Sequence, residues 1–168
     1  FGFSEVDQII KAINSQSGKQ FFSDTYQLII DREQIIISLL ENHQEDIEIR
    51  EIEIEIKNPL TMKFNGSLDF SLNKNPNVAK LDFDKLSFPL KLRKWKNGDK
   101  FRPLGMRNFK KVSDFFIDEK YSILAKQKQW LLCSEDDIVW IVGNRIDDRY
   151  KIETHTKKVY IAELLKEN

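Results

Sequence analysis

An α+β fold, built mostly of antiparallel or mixed β layers with a few short helices, is what this 168-residue sequence predicts. Period-two alternation recurs along the chain, as in "IEIREIEIEIK" and "FPLKLRKW". Turn signals rich in Asn, Asp and Gly separate those short apolar runs. Helical spacing is confined to "FSEVDQIIKAINSQSGK" at the start and "KKVSDFFIDEK" in the second half.

Taken in order, the opening helix has Val6, Ile9, Ile10 and Ile13 on one face, Ser4 and Asp7 as a capping box, and Gly18 at its C-terminal stop. "TYQLIIDREQIIISLL" predicts two strands joined at Asp31-Arg32-Glu33-Gln34. In "IEIREIEIEIK" the alternation at Ile47 and Ile49 slips at Arg50-Glu51, a bulge or a turn, and resumes at Ile52, Ile54 and Ile56. "LTMKFNGSLDFSL" predicts two short strands about the Asn65-Gly66 hairpin turn. Residues 73–77 read as a loop and "VAKLDFDKL" as a further strand with its exit.

From Ser87 onward, "FPLKLRKW" sets Leu90 and Leu92 against Lys91, Arg93 and Trp95. Val112, Phe115 and Phe116 give a short amphipathic helix. "WLLCSEDDIVWIVG" is strand, turn at Asp136-Asp137, strand, and "KKVYIAELL" is a closing strand or short helix. The expected division is a middle or connecting domain over 1–86 and a C-terminal domain over 87–168.

Composition places the chain among soluble globular proteins, at 40% hydrophobic and 32% charged residues. No apolar run reaches membrane-span length and no signal-peptide pattern opens it. The single cysteine fits a reducing compartment, so a cytoplasmic location is expected. Phe1 stands where an initiator methionine would, which suggests a piece of something longer. The formal net charge of zero conceals an asymmetry: residues 41–70 carry eight acids against three bases, and residues 87–131 carry twelve bases against four acids. Such a split points to an anionic partner for the basic part, or to two halves that attract each other.

Several chemistries are excluded. The six glycines lie at least seven residues apart, so neither a dinucleotide-binding turn nor a P-loop is present. His43, His155 and Cys133 lack metal-ligand spacing. Cys133, among Leu131, Leu132 and Ser134, reads as a core residue. Asp147-Asp148, between Arg145 and Arg149, reads as an ion-paired cluster. No catalytic constellation emerges.

The basic stretch "KLRKWKNGDKFRPLGMRNFKKVSDFF", residues 91–116, has only Asp99 and Asp114 as acids. Asn97-Gly98 predicts a hairpin that pairs Arg93 with Arg102 and shows Lys91, Arg93, Lys100 and Arg102 beside the Trp95 ring. A like-charge cross-strand pair destabilises a sheet unless an anion lies between its members. Lys110 and Lys111 precede or open the following helix, where cations oppose its dipole and free N–H groups suit phosphate. The acidic first half is the competing source of counter-charge.

"PLKLRKWKNGDKFRPLGMRNFKKVSDFFIDEK" followed by "IVWIVGNRIDDRYKI" resembles the C-terminal domain of bacterial tRNA(Ile)-lysidine synthetases. The family pattern runs P-L-x-L-R-x-W-x-x-G-D-x-F-x-P-L-G-M, then K-K-x-S-D-F-F, then G-x-R-I-D-D-R. It is met from Pro89 to Met106, from Lys110 to Phe116, and from Gly143 to Arg149. "SGKQFFSDTYQLIIDREQIII" looks like the part that follows the catalytic domain in that family. One departure is Asn108, where the family usually has glycine; asparagine also tolerates a left-handed backbone.

The resemblance implies a fold related to a tRNA-synthetase β-subunit domain. It implies a parent enzyme that uses ATP, with magnesium, to join lysine to the wobble cytidine of tRNA(Ile). That family's ATP loop, Ser-Gly-Gly-x-Asp-Ser, is not in this sequence, so no catalytic residue and no cofactor is expected in it. The implied partners are tRNA(Ile), whose acceptor stem the last domain reaches, and the N-terminal catalytic domain of the same polypeptide. The candidate RNA-binding residues are Arg93, Trp95, Lys96, Lys100, Arg102, Lys110, Lys111, Arg145 and Arg149. Trp95 either stacks on a terminal base or packs in the core; Arg145 and Arg149 either reach RNA or neutralise Asp147 and Asp148. The alternative is a protein-interaction or homodimerisation module with no RNA-binding role.

Overall fold

The computed structural model describes residues 2–13, 18–31, 34–40 and 45–165. The His43 reading and the Arg32-Glu33 turn residues lie outside them. The chain forms two compact units, one of residues 1–44 with 120–127 and one of residues 45–119 with 128–168.

In the first unit, helix α1 (Phe3–Ile13) packs on an antiparallel sheet of β1 (Gln20–Phe22), β2 (Tyr26–Asp31) and β3 (Gln34–Leu39), in the order β1-β2-β3. Ile9 and Ala12 meet Leu28 and Ile30, with Phe21 at the margin. Val6, Ile10 and Ile13, expected on the same buried face, are exposed. The register Asp31↔Gln34 is that of the expected hairpin.

The second unit holds two four-stranded antiparallel sheets. The first runs β12 (Asp137–Ile141), β11 (Trp130–Ser134), β8 (Leu90–Lys94), β4 (Ile47–Ile49). The second runs β5 (Glu55–Ile56), β6 (Met62–Ser67), β13 (Val159–Leu164), β7 (Val78–Asp82). One core joins them: Ile49, Leu90, Leu92, Leu132 and Trp140 from the first meet Met62, Phe64, Leu81, Tyr160 and Ala162 from the second. Alternation does the sorting, since in β8 Leu90 and Leu92 are fully buried while Lys91 and Arg93 take the other face. A third, two-stranded sheet pairs β9 (Lys100–Phe101) with β10 (Lys110–Lys111), and helix α2 (Val112–Asp118) follows directly. Helix α3 covers Ile123–Lys128.

One local expectation is overturned and two open alternatives are resolved. Asn65-Gly66 is not a turn: β6 runs straight through it, with Gly66 opposite Tyr160 on β13. Burial of Met62 and Phe64 and an unbroken ladder outweigh the local turn preference, and a Cβ on Gly66 would come within 2.8 Å of Lys158 Cε. The slip at Arg50-Glu51 is a turn, closed by Glu53 N–H donating to Arg50 O at 3.0 Å, and Ile52 and Ile54 beyond it are exposed. "KKVYIAELL" is a strand, β13, in the interior of its sheet. The division expected at residue 86 differs from the compact units, because β4 to β7 hydrogen-bond to strands from the second half or to one another within the same two sheets. No helix among the described residues is long and apolar enough to cross a membrane.

Candidate nucleic-acid interface

The basic stretch begins with a tight turn. Gly98 takes φ +93°, open to glycine, and Asp99 N–H donates to Lys96 O at 3.1 Å. The turn forms but the hairpin does not. β8 pairs with β11 and β4, and β9 turns away to pair with β10. Arg93 therefore lies opposite Leu131, not Arg102. Its guanidinium instead donates twice to Asp99, at 2.8 and 2.9 Å, a bidentate pair that neutralises it within the chain.

Asp99 also accepts from Lys96 N–H at 2.7 Å. Burial pushes its carboxyl up, but these bonds from Arg93 and the Lys96 amide outweigh burial and hold it below the ordinary value of 3.8. A carboxyl held lower in the folded chain adds stability that is complete above its unfolded pKa and is lost as pH falls through the folded one. Urea midpoints of the native chain will therefore drop more steeply below about pH 4 than those of Asp99→Asn. Parallel acid limbs in the two proteins would remove Asp99 from this role.

The loop from Arg102 to Phe109 is clamped by the two aspartates. Asp147, fully buried, accepts from Arg102 N–H at 2.8 Å and from Arg149 N–H, Nε and Nη2 at 2.9, 2.9 and 3.0 Å. Asp148 accepts from Gly105 N–H and Lys151 Nζ, both at 2.9 Å, and lies 3.6 Å from Arg102 Nη2. Asp137 takes Arg149 Nη1 and the Tyr150 hydroxyl. These bonds, led by Asp147, push the Arg149 guanidinium further up. The left-handed residue of the loop is Gly105, at φ +85°. Asn108 has no positive φ, so the departure from the family pattern needs no special backbone.

The nine candidate residues thus separate. Arg93, Arg102, Lys110 and Arg149 face carboxylates of the same molecule, Lys110 through Asp118. Trp95 is half-buried with its ring edge-on to Phe116 at 5.1 Å, in packing rather than open to a base. Lys96, Lys100, Lys111 and Arg145 are exposed; Lys96 stands in the field of Asp99, and the other three form no ion pair with a carboxylate among the described residues. Lys100 and Lys111 stand directly opposite each other across β9–β10. This is the like-charge cross-strand pair that the sequence placed at Arg93 and Arg102, found one strand pair further on. The helix expected to offer a phosphate site is one of seven residues, and its first amide, Val112 N–H, already donates to Asp99 O at 2.9 Å.

Two residues escaped the sequence reading. Phe109, half exposed, has Lys100 Nζ at 5.4 Å and Arg149 Cζ at 4.9 Å from its ring centre, so it orients Lys100 at the surface. Arg107 is exposed on the same loop. An aromatic and a cation flanking Asn108 in the loop were the available signal. Cys133 is fully buried, and burial pushes its thiol up to about 11, in keeping with a core role. Among the described residues no cluster of metal-ligating side chains exists.

The family models for the TilS substrate binding domain and the TilS substrate C-terminal domain match residues 1–41 and 90–163. A tRNA(Ile)-lysidine synthase of Parabacteroides distasonis is 42% identical over 98% of this chain and 39% of its own length. One of Bacteroides thetaiotaomicron is 33% identical over 98% of this chain and 37% of its own. The chain therefore spans well under half the length of these relatives. Among solved structures, the crystal structure of the TILS C-terminal domain aligns at TM-score 0.62 and 15% identity, over 74% of this chain and 99% of that one. An N-terminal fragment of the phenylalanyl-tRNA synthetase β-subunit from Pyrococcus horikoshii aligns at TM-score 0.52 and 13% identity, over 98% and 63%. At these identities the likeness is one of fold, and it is the fold expected from the sequence.

Proposed function

The chain belongs to the tRNA(Ile)-lysidine synthase family, and from that premise we propose that it is the tRNA-recognition part of such an enzyme, with the acceptor stem as its target. The observation that carries the proposal is the facing pair Lys100 and Lys111, two exposed cations on one side of a two-stranded ribbon with no carboxylate of the described residues between them. An RNA backbone laid across the ribbon supplies the missing anion. Lys96 at the preceding turn and Arg107 on the clamped loop are the next cations available to it. Double-stranded RNA is read mainly through shape, phosphates and 2′-hydroxyls, which suits exposed amines and guanidinium groups on a rigid loop.

On this reading the parent enzyme uses ATP with magnesium to activate the wobble cytidine of tRNA(Ile), and lysine completes the ligation. The catalytic part is N-terminal to the residues described, and this chain contributes the grip that positions the tRNA. Titrating tRNA(Ile) at several salt concentrations tests the proposal. Log affinity will fall linearly with log salt, with a slope of about −0.7 to −0.9 per phosphate contact.

A second reading, an interaction or homodimerisation module, has in its favour the exposed Ile35, Ile37 and Leu39 of β3. Absence of tRNA binding, with concentration-dependent dimerisation in sedimentation, would select it.

A further inference from the structure

A cleft of about 480 Å³ opens in the second unit between the loop 71–76, Leu104 and the segment 144–152. Its walls carry Lys74, Lys80, Arg145 and Lys151 and no carboxylate, although the chain as a whole is neutral. Two of these cations are engaged: Lys80 with Asp69 at 2.7 Å and Lys151 with Asp148 at 2.9 Å. Lys74 and Arg145 are exposed and face no carboxylate among the described residues. The rest of the lining divides between an aliphatic part, with Leu72, Leu104, Ile146 and Ile152, and a polar part, with Ser71, Asn73, Asn75 and Asn144. Leu72 is 89% exposed and Leu104 45% exposed, so apolar surface stands open to solvent beside unpaired positive charge.

The rim is built rather than slack. Asn75 N–H donates to Asn73 Oδ1 at 2.8 Å and Asn77 N–H to Asn75 Oδ1 at 3.0 Å. Lys80 Nζ donates to Ser71 O and Oγ, each at 3.0 Å, and ties the start of the loop to β7. The far wall is held by Asp148 through Lys151 and by Leu104 N–H donating to Ile146 O at 3.1 Å.

Aliphatic and amide side chains beside exposed cations, and volume within the range of small-ligand sites, fit a flat uncharged ring joined to an anion. We propose that this cleft receives a single unpaired nucleotide of the bound RNA, the base lying on the aliphatic wall and its phosphate on Arg145 and Lys74. A base inside a duplex is stacked and cannot enter, so the cleft distinguishes an RNA end or bulge from continuous helix. The proposal rests on the RNA-binding reading above and adds a subsite that the β9–β10 ribbon does not provide.

The test measures the affinity of the full chain for three hairpin RNAs of identical stem: blunt, with one unpaired 3′ adenosine, and with a single-nucleotide bulge. At least one of the latter two will bind roughly tenfold more tightly than the blunt stem, the size expected for burying one flat ring against aliphatic side chains. Leu72→Asn, a neutral change at a solvent-exposed position that leaves folding intact, will abolish that increment and leave blunt-stem affinity unchanged. Arg145→Ala will also abolish the increment. Equal affinity for all three RNAs, or an increment that survives both substitutions, would overturn the subsite while leaving the RNA-binding reading in place. Failure to bind any of the three would overturn both.

Discussion

Replacing Lys100 and Lys111 together by alanine will lower tRNA affinity by roughly tenfold or more at low salt and flatten the salt dependence by about 1.5 in log–log slope. Folding will be unharmed or slightly improved. The reason lies in register: the two lysines are directly opposed across β9–β10, exposed, and have no carboxylate of the described residues between them. Removing them relieves a mutual repulsion in the free protein and deletes two phosphate contacts in the complex. Lys110→Ala supplies the contrast, because Lys110 is occupied by Asp118 and its loss should alter RNA binding little. Equal losses in the two variants would mean that opposition across the ribbon is not what marks a contact residue. A fall in thermal stability that matched the fall in affinity would show the lysines to be structural.

Asp147→Ala will destabilise the fold by about 3 kcal/mol in urea unfolding, toward the lower end of the range for breaking a buried charge pair, because Arg149 keeps Asp137. Asp147 is wholly buried and accepts four hydrogen bonds, one from the Arg102 backbone and three from Arg149. Its loss frees the loop that carries Leu104, Arg107 and Phe109, so RNA affinity will fall as well, though the residue touches no ligand. Asp147→Asn keeps the shape and an acceptor oxygen and should lie between native and alanine. A loss below about 1 kcal/mol in the alanine variant would show that the clamp is dispensable.

The two results together would separate what holds the loop from what the loop presents. The Asp-Asp-Arg run at 147–149 looked in the sequence like an ion-paired cluster, and it is one. What the sequence left open was its target. Asp147 and Asp148 secure the backbone of Arg102 and Gly105, some forty residues earlier in the chain. Arg149, offered either to RNA or to these aspartates, is taken by Asp147 and Asp137.

The sequence by itself determined the class of the fold, the alternation that buries Leu90 and Leu92, the core placing of Cys133, and the family motifs between Pro89 and Arg149. Each depends on neighbours within a few residues, or on side-chain periodicity, which a single strand already displays. Only the tertiary structure decided that Asn65-Gly66 is strand and not turn, that β9 leaves β8 for β10, and which of nine candidate residues remain open. Those outcomes turn on pairings between distant segments. A hydrogen-bond ladder or a carboxylate forty residues away outweighs a local turn preference, and it cancels a charge that looks free when the chain is read in line.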